Sequence, residues 1–403
     1  MKTGISDSLL TNHYVDLHIH IGRTEQGRPV KITGAKNLTF YNIAKEASMR
    51  KGIEMVGIID CHSPSVQAEI LSYLDSGEMV ELAGGGIRYG DTTIILGSEI
   101  EVHDPGMGAA HLLVYLPTLE KMQDFTQWLR KQLKNVELSS QRIYATARSL
   151  QEEALGRGGM LIPAHIFTPH KGIYGACTDR MANLLDLDGI AAVELGLSAD
   201  TEMAGQISEL DTYTFLTNSD AHSLPKIGRE YNVLSLQSPT YEELRKALYL
   251  EDGRAVVANY GLNPRLGKYH RTYCATCEAI LDEQDQIVVS CSSCGGTKIV
   301  RGVIDRVMDI ADQTKPNSQI QRPPYHYQVP LEYIPGIGPK KFERLLDHFG
   351  TEMNVLHRVP IQQLAELAGE SFAAYITSAR EGTLAVQAGG GGKYGKVMTT
   401  QQG

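Results

Sequence analysis

The sequence predicts an α/β protein: a (β/α) barrel, followed by a zinc ribbon and a helical helix-hairpin-helix region. Three observations carry that reading. From about Tyr14 to Leu236, short apolar runs alternate with longer helical stretches, the pattern of βαβ units. Nearly every one of those runs adjoins a His, Asp or Glu. Beyond Leu250 the chain turns to two Cys-x-x-Cys pairs and then a Gly-x-Gly turn followed by lysines.

At 403 residues, 42% hydrophobic and 21% charged, the chain is long enough for more than one folded domain and too apolar for disorder. A net charge of −9 argues against a strongly basic nucleic-acid binder. The acidity lies before Val256, however, and basic and acidic residues nearly balance after it. Met1–Asp7 has no apolar core of signal-peptide length and no later stretch reaches a membrane span, so a cytoplasmic, nucleoid-associated protein without membrane contact is expected. Four of the six cysteines are paired as Cys-x-x-Cys, which in a reducing compartment means metal binding.

The first element is the run Val15-Asp16-Leu17-His18-Ile19-His20. Residues two apart on a strand point the same way, so His18 and His20 can reach one ion. Taken alone, a His-x-His is as readily a packed or surface pair. The same design recurs with Asp60 and His62 after Gly57–Ile59, Glu99 after Ile94–Ser98, His165 after Met160–Ala164, Glu194 after Ala191–Val193, and Asp220 and His222 after Phe215–Ser219. His111 opens its run. Helical stretches at Thr39–Lys51, Lys121–Leu133, Gln141–Leu155 and Thr240–Leu250 separate the strands. Seven or eight strands fit a barrel, whose functional groups stand at the carboxyl ends of the strands. The mix of imidazole and carboxylate suits Zn²⁺, Mn²⁺ or Fe²⁺, whereas an all-oxygen site would favour Mg²⁺. Closely spaced cations of this kind point to phosphoester hydrolysis.

These residues resemble the PHP (polymerase and histidinol phosphatase) family, metal-dependent phosphoesterases on a distorted seven-stranded (β/α) barrel. The resemblance implies that His18, His20, Glu99 and Asp220 hold one metal, that Glu99 bridges to a second completed by His111 and His165, and that His222 with His62 approaches a third. It makes Asp220, Glu99 and His165 the catalytic centre. Two departures leave the count at two or three divalent metals: Cys61 separates Asp60 from His62, and Gln26 stands near the place of another third-site His. Asp60 and Glu194 are either ligands or groups that orient ligand histidines. Among nearby polar residues, Arg23 and Lys31 follow the first strand, and Phe167, His170, Lys171 and Tyr174 follow His165. As phosphate contacts or as a base pocket of Phe167, His170 and Tyr174 they compete with an ordinary loop. His13, His103 and Cys177 take no role.

After the barrel, expected over 1–255, the basic and tyrosine-rich stretch Tyr260–Arg271 brings Arg265, Lys268 and Arg271 as DNA contacts. It leads into Cys274, Cys277, Cys291 and Cys294, with Ile287-Val288-Val289 as a strand before the second pair. Two thiolate pairs across a hairpin-length insert specify one tetrahedral structural zinc, in a ribbon over 256–314. A redox dithiol would need only one pair, at a helix start. A Pro-containing linker covers 315–330. Ile334-Pro335-Gly336-Ile337-Gly338-Pro339-Lys340-Lys341-Phe342 then reads as a helix-hairpin-helix hairpin within 331–385. Gly336 and Gly338 let the backbone approach a phosphate, met by amides and by Lys340 or Lys341. Leu345–Gly350 and Val355–Leu367 are the helices behind it, and Ile361–Ala365 starts a second, degenerate copy. The Gly-rich end, 386–403, reads as a flexible tail unless it orders on nucleic acid or against the body. Gln401-Gln402-Gly403 is too short to establish a sliding-clamp contact.

The order of these parts, from His18 to Lys396, is similar to the endonuclease Q family in its bacterial form. That resemblance implies a monomeric DNA-repair endonuclease acting on double-stranded DNA. It would cut 5′ to a deaminated base (uracil, hypoxanthine or xanthine) or an abasic site. The rival readings are a PHP-type phosphatase, a 3′–5′ exonuclease and an inactive DNA-binding scaffold. The first has no use for DNA-binding appendages, and a dead site has no physical reason to keep clustered charges.

Overall fold

The computed structural model describes residues 9–281 and 288–398. Ile287 and Gln401–Gly403, considered above, lie outside the described residues. The first half of the chain runs β1 (Thr11–Ile19), α1 (Phe40–Glu46), β2 (Met55–Ile58), α2 (Pro64–Asp75), β3 (Val80–Glu81), β4 (Ile87–Tyr89), β5 (Thr92–Val102), β6 (Ala110–Leu116), α3 (Leu119–Leu129) and α4 (Ala147–Leu155). Then come β7 (Met160–Pro163), β8 (Val193–Glu194), α5 (Thr201–Ala204), β9 (Phe215–Leu216), β10 (Tyr231–Leu236), α6 (Tyr241–Leu248) and β11 (Ala255–Gly261). The remainder is β12 (Tyr273–Cys274), β13 (Ile299–Val300), α7 (Val303–Ile310), β14 (Tyr325–Tyr327), α8 (Pro339–Phe349), α9 (Ile361–Ala368), α10 (Glu370–Arg380), β15 (Val386–Gln387) and β16 (Lys396–Val397). No helix among the described residues is long and apolar enough to cross a membrane.

The fold is mixed α/β. Ten strands form one sheet in the order β14-β11-β10-β1-β2-β5-β4-β3, with β6 on β5 and β7 on β6, while β8 and β9 pair in parallel beside it. The expected parallel βα repeat holds for β1, β2 and β5. It gives way to antiparallel pairing in β5–β6–β7 and β1–β10–β11. Between β5 and β6 the reason is length: a parallel crossover needs a dozen residues or more, and His103–Ala109 is too short. Val15, Leu17, Met55, Ile95, Leu113, Tyr115, Met160, Ile162 and Leu216 share one apolar cluster, so these strands contribute to a common core.

The helices begin where threonines cap them. Thr39, Thr118, Thr146 and Thr240 each accept a hydrogen bond from an amide of the first turn, so α4 starts at Ala147 and not near Gln141. Pro360 breaks the stretch expected as one helix over Val355–Leu367 into a short turn, Asn354–Arg358, and α9. The helical region is tied to the main body by Arg50 on Glu343, at 2.7 and 2.9 Å, and by Lys51 on buried Glu352, at 2.6 Å. β14 lies within 315–330 and pairs with β11. Val288 and Val289 form no strand; β13 is the partner of β12 in the ribbon.

Candidate functional site

Three pieces of strand geometry assemble the site. At the end of β1, His18 and the next-but-one residue His20 face one site, and beside them Ala221 bridges to Ile19: the His20 amide donates to the Ala221 carbonyl at 3.0 Å and the Ala221 amide to the His18 carbonyl at 3.1 Å. That bridge sets Asp220 and His222 against the two histidines. Across β5–β6, Glu101 stands opposite His111, with Glu99 two residues along on the same face. After β7, the Ala164 amide donates to the His111 carbonyl at 3.1 Å, which brings His165 alongside. His165 and Asp220 hold positive φ, 30° and 45°, a strained backbone of the kind found where function fixes a side chain.

The ligand atoms converge in three overlapping groups: His18, His20 and Glu99; Glu99, His111 and His165; His20, Asp220 and His222. Glu99 Oε1 lies 3.5 Å from His18 Nε2, 2.8 Å from His111 Nδ1 and 3.5 Å from His165 Nε2. Asp220 Oδ1 is 3.5 Å from both His18 Nε2 and His20 Nε2. His18 Nε2 is buried with no hydrogen-bond partner among the described residues, and His111 Nδ1, though 2.8 Å from Glu99, is not aligned to make a hydrogen bond to it. Such orphaned imidazole nitrogens facing carboxylates fit metal ligands better than a hydrogen-bonded core. Burial opposes charge on His18, yet Glu194 and Asp220 raise its pKa well above the usual value. Burial likewise opposes charge on Glu99 and Asp220, but His111 with Lys31, and His18, hold them well below the carboxylate range.

Asp60 and Glu194 stand behind the two histidines His20 and His18. Glu194 accepts from His18 Nδ1 at 2.9 and 3.1 Å, and Asp60 Oδ2 pairs with His20 Nδ1 at 3.1 Å while accepting from the Ile21 amide at 2.7 Å. Each fixes its histidine so that Nε2 faces the site. His62 is not brought in: its Nδ1 bonds Ser98 Oγ at 2.8 Å and its Nε2 the Leu138 carbonyl at 3.3 Å. Burial pushes the His62 pKa down, which matches a neutral, internally satisfied ring.

The groups open on a cavity of about 340 Å³ lined by His20, Glu99, His111, His165, Asp220 and His222. His170, Lys268, Tyr269 and Tyr394 line it as well. Phe167 and Tyr174 do not reach it; both are buried and stack on each other at 5.6 Å, because their apolar faces fill the core. The sequence reading missed Tyr394, on a loop that composition alone makes flexible. It also missed Asn218, which accepts from the Leu17 amide at 2.9 Å and donates to Glu194 at 2.9 Å. Alternation with Asp220 on the same strand end was the available signal for Asn218.

Elsewhere, the four cysteines gather as expected, with Sγ atoms of Cys274 and Cys294 3.7 Å apart and of Cys277 and Cys291 3.6 Å apart. The Pro335–Gly338 turn precedes α8, with Gly336 at φ 83° and Gly338 at the helix cap, both open to solvent. Lys340 is exposed; Lys341 instead donates to the Ala368 carbonyl at 2.9 Å. Arg265 is exposed, and Arg271 Nε lies 4.0 Å from Asp305.

Fold and site together define a metal-dependent phosphodiesterase. No protein-family model matches the chain. The chain is similar to the uncharacterized protein YqxK of Bacillus subtilis (strain 168), 51% identical over 388 residues that span 95% of this chain and 98% of the relative. Among solved structures it resembles the lesion-specific endonuclease PfuEndoQ of Pyrococcus furiosus, with 32% identity and a TM-score of 0.83 over 97% of this chain and 96% of that one. It also resembles endonuclease Q in complex with a 27-mer duplex substrate carrying an abasic lesion at the active site, with 32% identity and a TM-score of 0.84 over 97% of this chain and 98% of that one. The chain belongs to the endonuclease Q family.

Proposed function

We propose that this protein is a metal-dependent DNA-repair endonuclease that hydrolyses the phosphodiester 5′ to a deaminated base (uracil, hypoxanthine or xanthine) or an abasic site. One observation carries the reading: three overlapping imidazole and carboxylate groups line one cavity in a chain that matches, nearly end to end, an endonuclease Q bound to abasic duplex. The sheet is read as the distorted seven-stranded PHP barrel over 1–255, followed by the ribbon over 256–314, the linker over 315–330, the helix-hairpin-helix region over 331–385 and the tail.

His18, His20, Glu99, His111, His165, Asp220 and His222 would hold two or three divalent cations, Zn²⁺, Mn²⁺, Fe²⁺ or Mg²⁺. When bound, the cations supply electrostatic clamping of the phosphate and a lowered pKa for water. The protein's own part is positional. Glu194 and Asp60 keep the Nδ1 protons on His18 and His20, and Lys31, 3.4 Å from Glu99 and 2.6 Å from Ser140, adds a fixed cation at the cavity edge. Gly336, Gly338 and Lys340 suit backbone phosphate, which gives affinity without sequence preference. A monomer suffices for this arrangement. Extrusion of the damaged nucleotide costs least where pairing is already weak, a source of selectivity for mismatched uracil or hypoxanthine.

The test is cleavage of end-labelled duplexes of one sequence carrying uracil, hypoxanthine, an abasic site or no lesion, with each metal in turn. A single nick 5′ to the lesion, absent from intact DNA, is expected. Progressive shortening from the ends would make the protein an exonuclease, and release of phosphate from small esters alone would make it a phosphatase.

A further inference from the structure

The Gly-rich segment is not loose. The amides of Gly389 and Gly395 donate to the carbonyls of Arg265 and Leu266 at 2.6 and 2.9 Å, and the Gly392 amide to that of Lys268 at 3.3 Å. A Cβ on Gly389 would come 2.8 Å from the Leu266 carbonyl oxygen, and one on Gly395 2.2 Å from that of Gln387. Absence of side chains is thus what lets this loop lie against 265–268. β15 and β16 close its base. Docked there, the loop delivers Tyr394 to the cavity wall beside Lys268 and Tyr269.

Lys268 is set between two rings, its ammonium 4.7 Å from the Tyr269 centroid and 5.7 Å from that of Tyr394. The other lysines on the wall are engaged: Lys31 with Glu99 at 3.4 Å and Lys171 with Glu101 at 2.5 Å. Lys268 has no carboxylate within ion-pair distance among the described residues, and beside its contact with Tyr269 an ammonium has donors to spare for a ligand. A lysine side chain is an ammonium at neutral pH. An ammonium has three donors and no acceptor.

We infer that Lys268 reads the extruded base by donating to a keto oxygen, while Tyr394 and Tyr269 supply the faces against which the base stacks. The inference rests on the lesion-endonuclease reading above. Deamination replaces an exocyclic amino group, a donor, with a keto oxygen, an acceptor. A donor-only group therefore matches uracil, hypoxanthine and xanthine, and opposes cytosine and adenine donor to donor. Sites that hydrogen-bond one partner reject its unmatched analogue strongly. Base stacking on an aromatic face adds affinity without choosing among the keto bases.

An abasic site has no base to read, and this separates the inference from a phosphate contact. Single-turnover cleavage of uracil, hypoxanthine and abasic duplexes is compared for the full chain, Lys268→Met, Tyr394→Ala and Tyr394→Phe, each checked by its melting temperature. Lys268→Met should lower the uracil-to-abasic and hypoxanthine-to-abasic rate ratios at least tenfold. Tyr394→Ala should lower both ratios by a smaller factor, and Tyr394→Phe, which keeps the ring, should restore them. Equal losses on all three lesions, with a salt slope of binding reduced by about one, would make Lys268 a phosphate contact and overturn the inference. Wild-type protein that nicks abasic but not uracil or hypoxanthine duplex would overturn it as well, leaving the endonuclease reading in place. No nicking of any lesion would remove that reading itself.

Discussion

Replacing Glu194 with Gln probes how the site keeps its first ligand. Glu194 is buried and receives only donors: His18 Nδ1 at 2.9 and 3.1 Å, the His165 amide at 3.1 Å and Asn218 Nδ2 at 2.9 Å. Asn218 cannot turn to help, because its Oδ1 already accepts from the Leu17 amide at 2.9 Å and from Asn232 at 3.2 Å. Gln has one acceptor and one amide group, so in either orientation its NH₂ faces a donor. An unsatisfied buried donor costs about 1–3 kcal/mol, which lowers the melting temperature by a few degrees. The larger effect is on His18. A Gln oxygen can still accept from His18 Nδ1 but holds that proton less firmly than a carboxylate, so the Nε2 lone pair is held less firmly toward the cavity and metal affinity should fall about 10- to 100-fold. Titration of the metal-free full chain against a competing chelator measures this, and cleavage should recover at high metal concentration. Affinity within about twofold of wild type would refute the orienting role. Loss of one bound equivalent that no excess restores would make Glu194 a ligand.

Asp220→Asn removes a carboxylate shared by His18 and His20 at 3.5 Å; cleavage should be abolished while DNA affinity by fluorescence anisotropy stays within a few-fold, and joint loss of both would mean a structural role. Cys291→Ser should release the structural zinc and open the ribbon, read as lost zinc content and new proteolysis between 256 and 314. His357 gives a pH signature away from the site. Burial, with Arg380 and Arg358 nearby, lowers its pKa to about 4, whereas an unfolded His titrates near 6.5. The unfolded chain therefore takes the proton first as pH falls. Stability is full above about pH 6.5 and declines toward pH 4, by up to roughly 3 kcal/mol at 1.36 kcal/mol per pKa unit. Urea unfolding of His357→Gln should lack that part of the decline, and equal slopes in both proteins would remove His357 as its source.

Much of the site was legible because strand periodicity is local. His18 with His20, and Asp220 with His222, share a face by spacing alone, and Glu99, His111 and His165 sit at the ends of apolar runs. What the sequence hid depends on partners distant along the chain. His62 has the spacing of a ligand, but Ser98 and Leu138 satisfy both its nitrogens. Phe167 and Tyr174 have the composition of a base pocket, but the core takes them. The parallel repeat failed at β5–β6 for want of connecting length, which was visible as the short segment after Val102. The tail misled for a different reason. Glycine signals freedom in a lone segment, whereas Gly389 and Gly395 here are the residues that permit close docking.

The wall chemistry separates two tasks that a nuclease must perform at one place. The candidate metal groups of the cavity are carboxylates and imidazoles, and Lys31 and Lys171 beside them are already paired with Glu99 and Glu101. Protein charge alone would therefore draw a phosphodiester there only weakly, which makes productive binding depend on the cations those ligands hold. Lys268, which has no carboxylate within ion-pair distance among the described residues, lines the same cavity between Tyr269 and Tyr394, where a neutral base can be met by a donor and ring faces. Metal removal and Lys268 substitution should accordingly fail in different ways: the first on every lesion, the second on lesions that still carry a base.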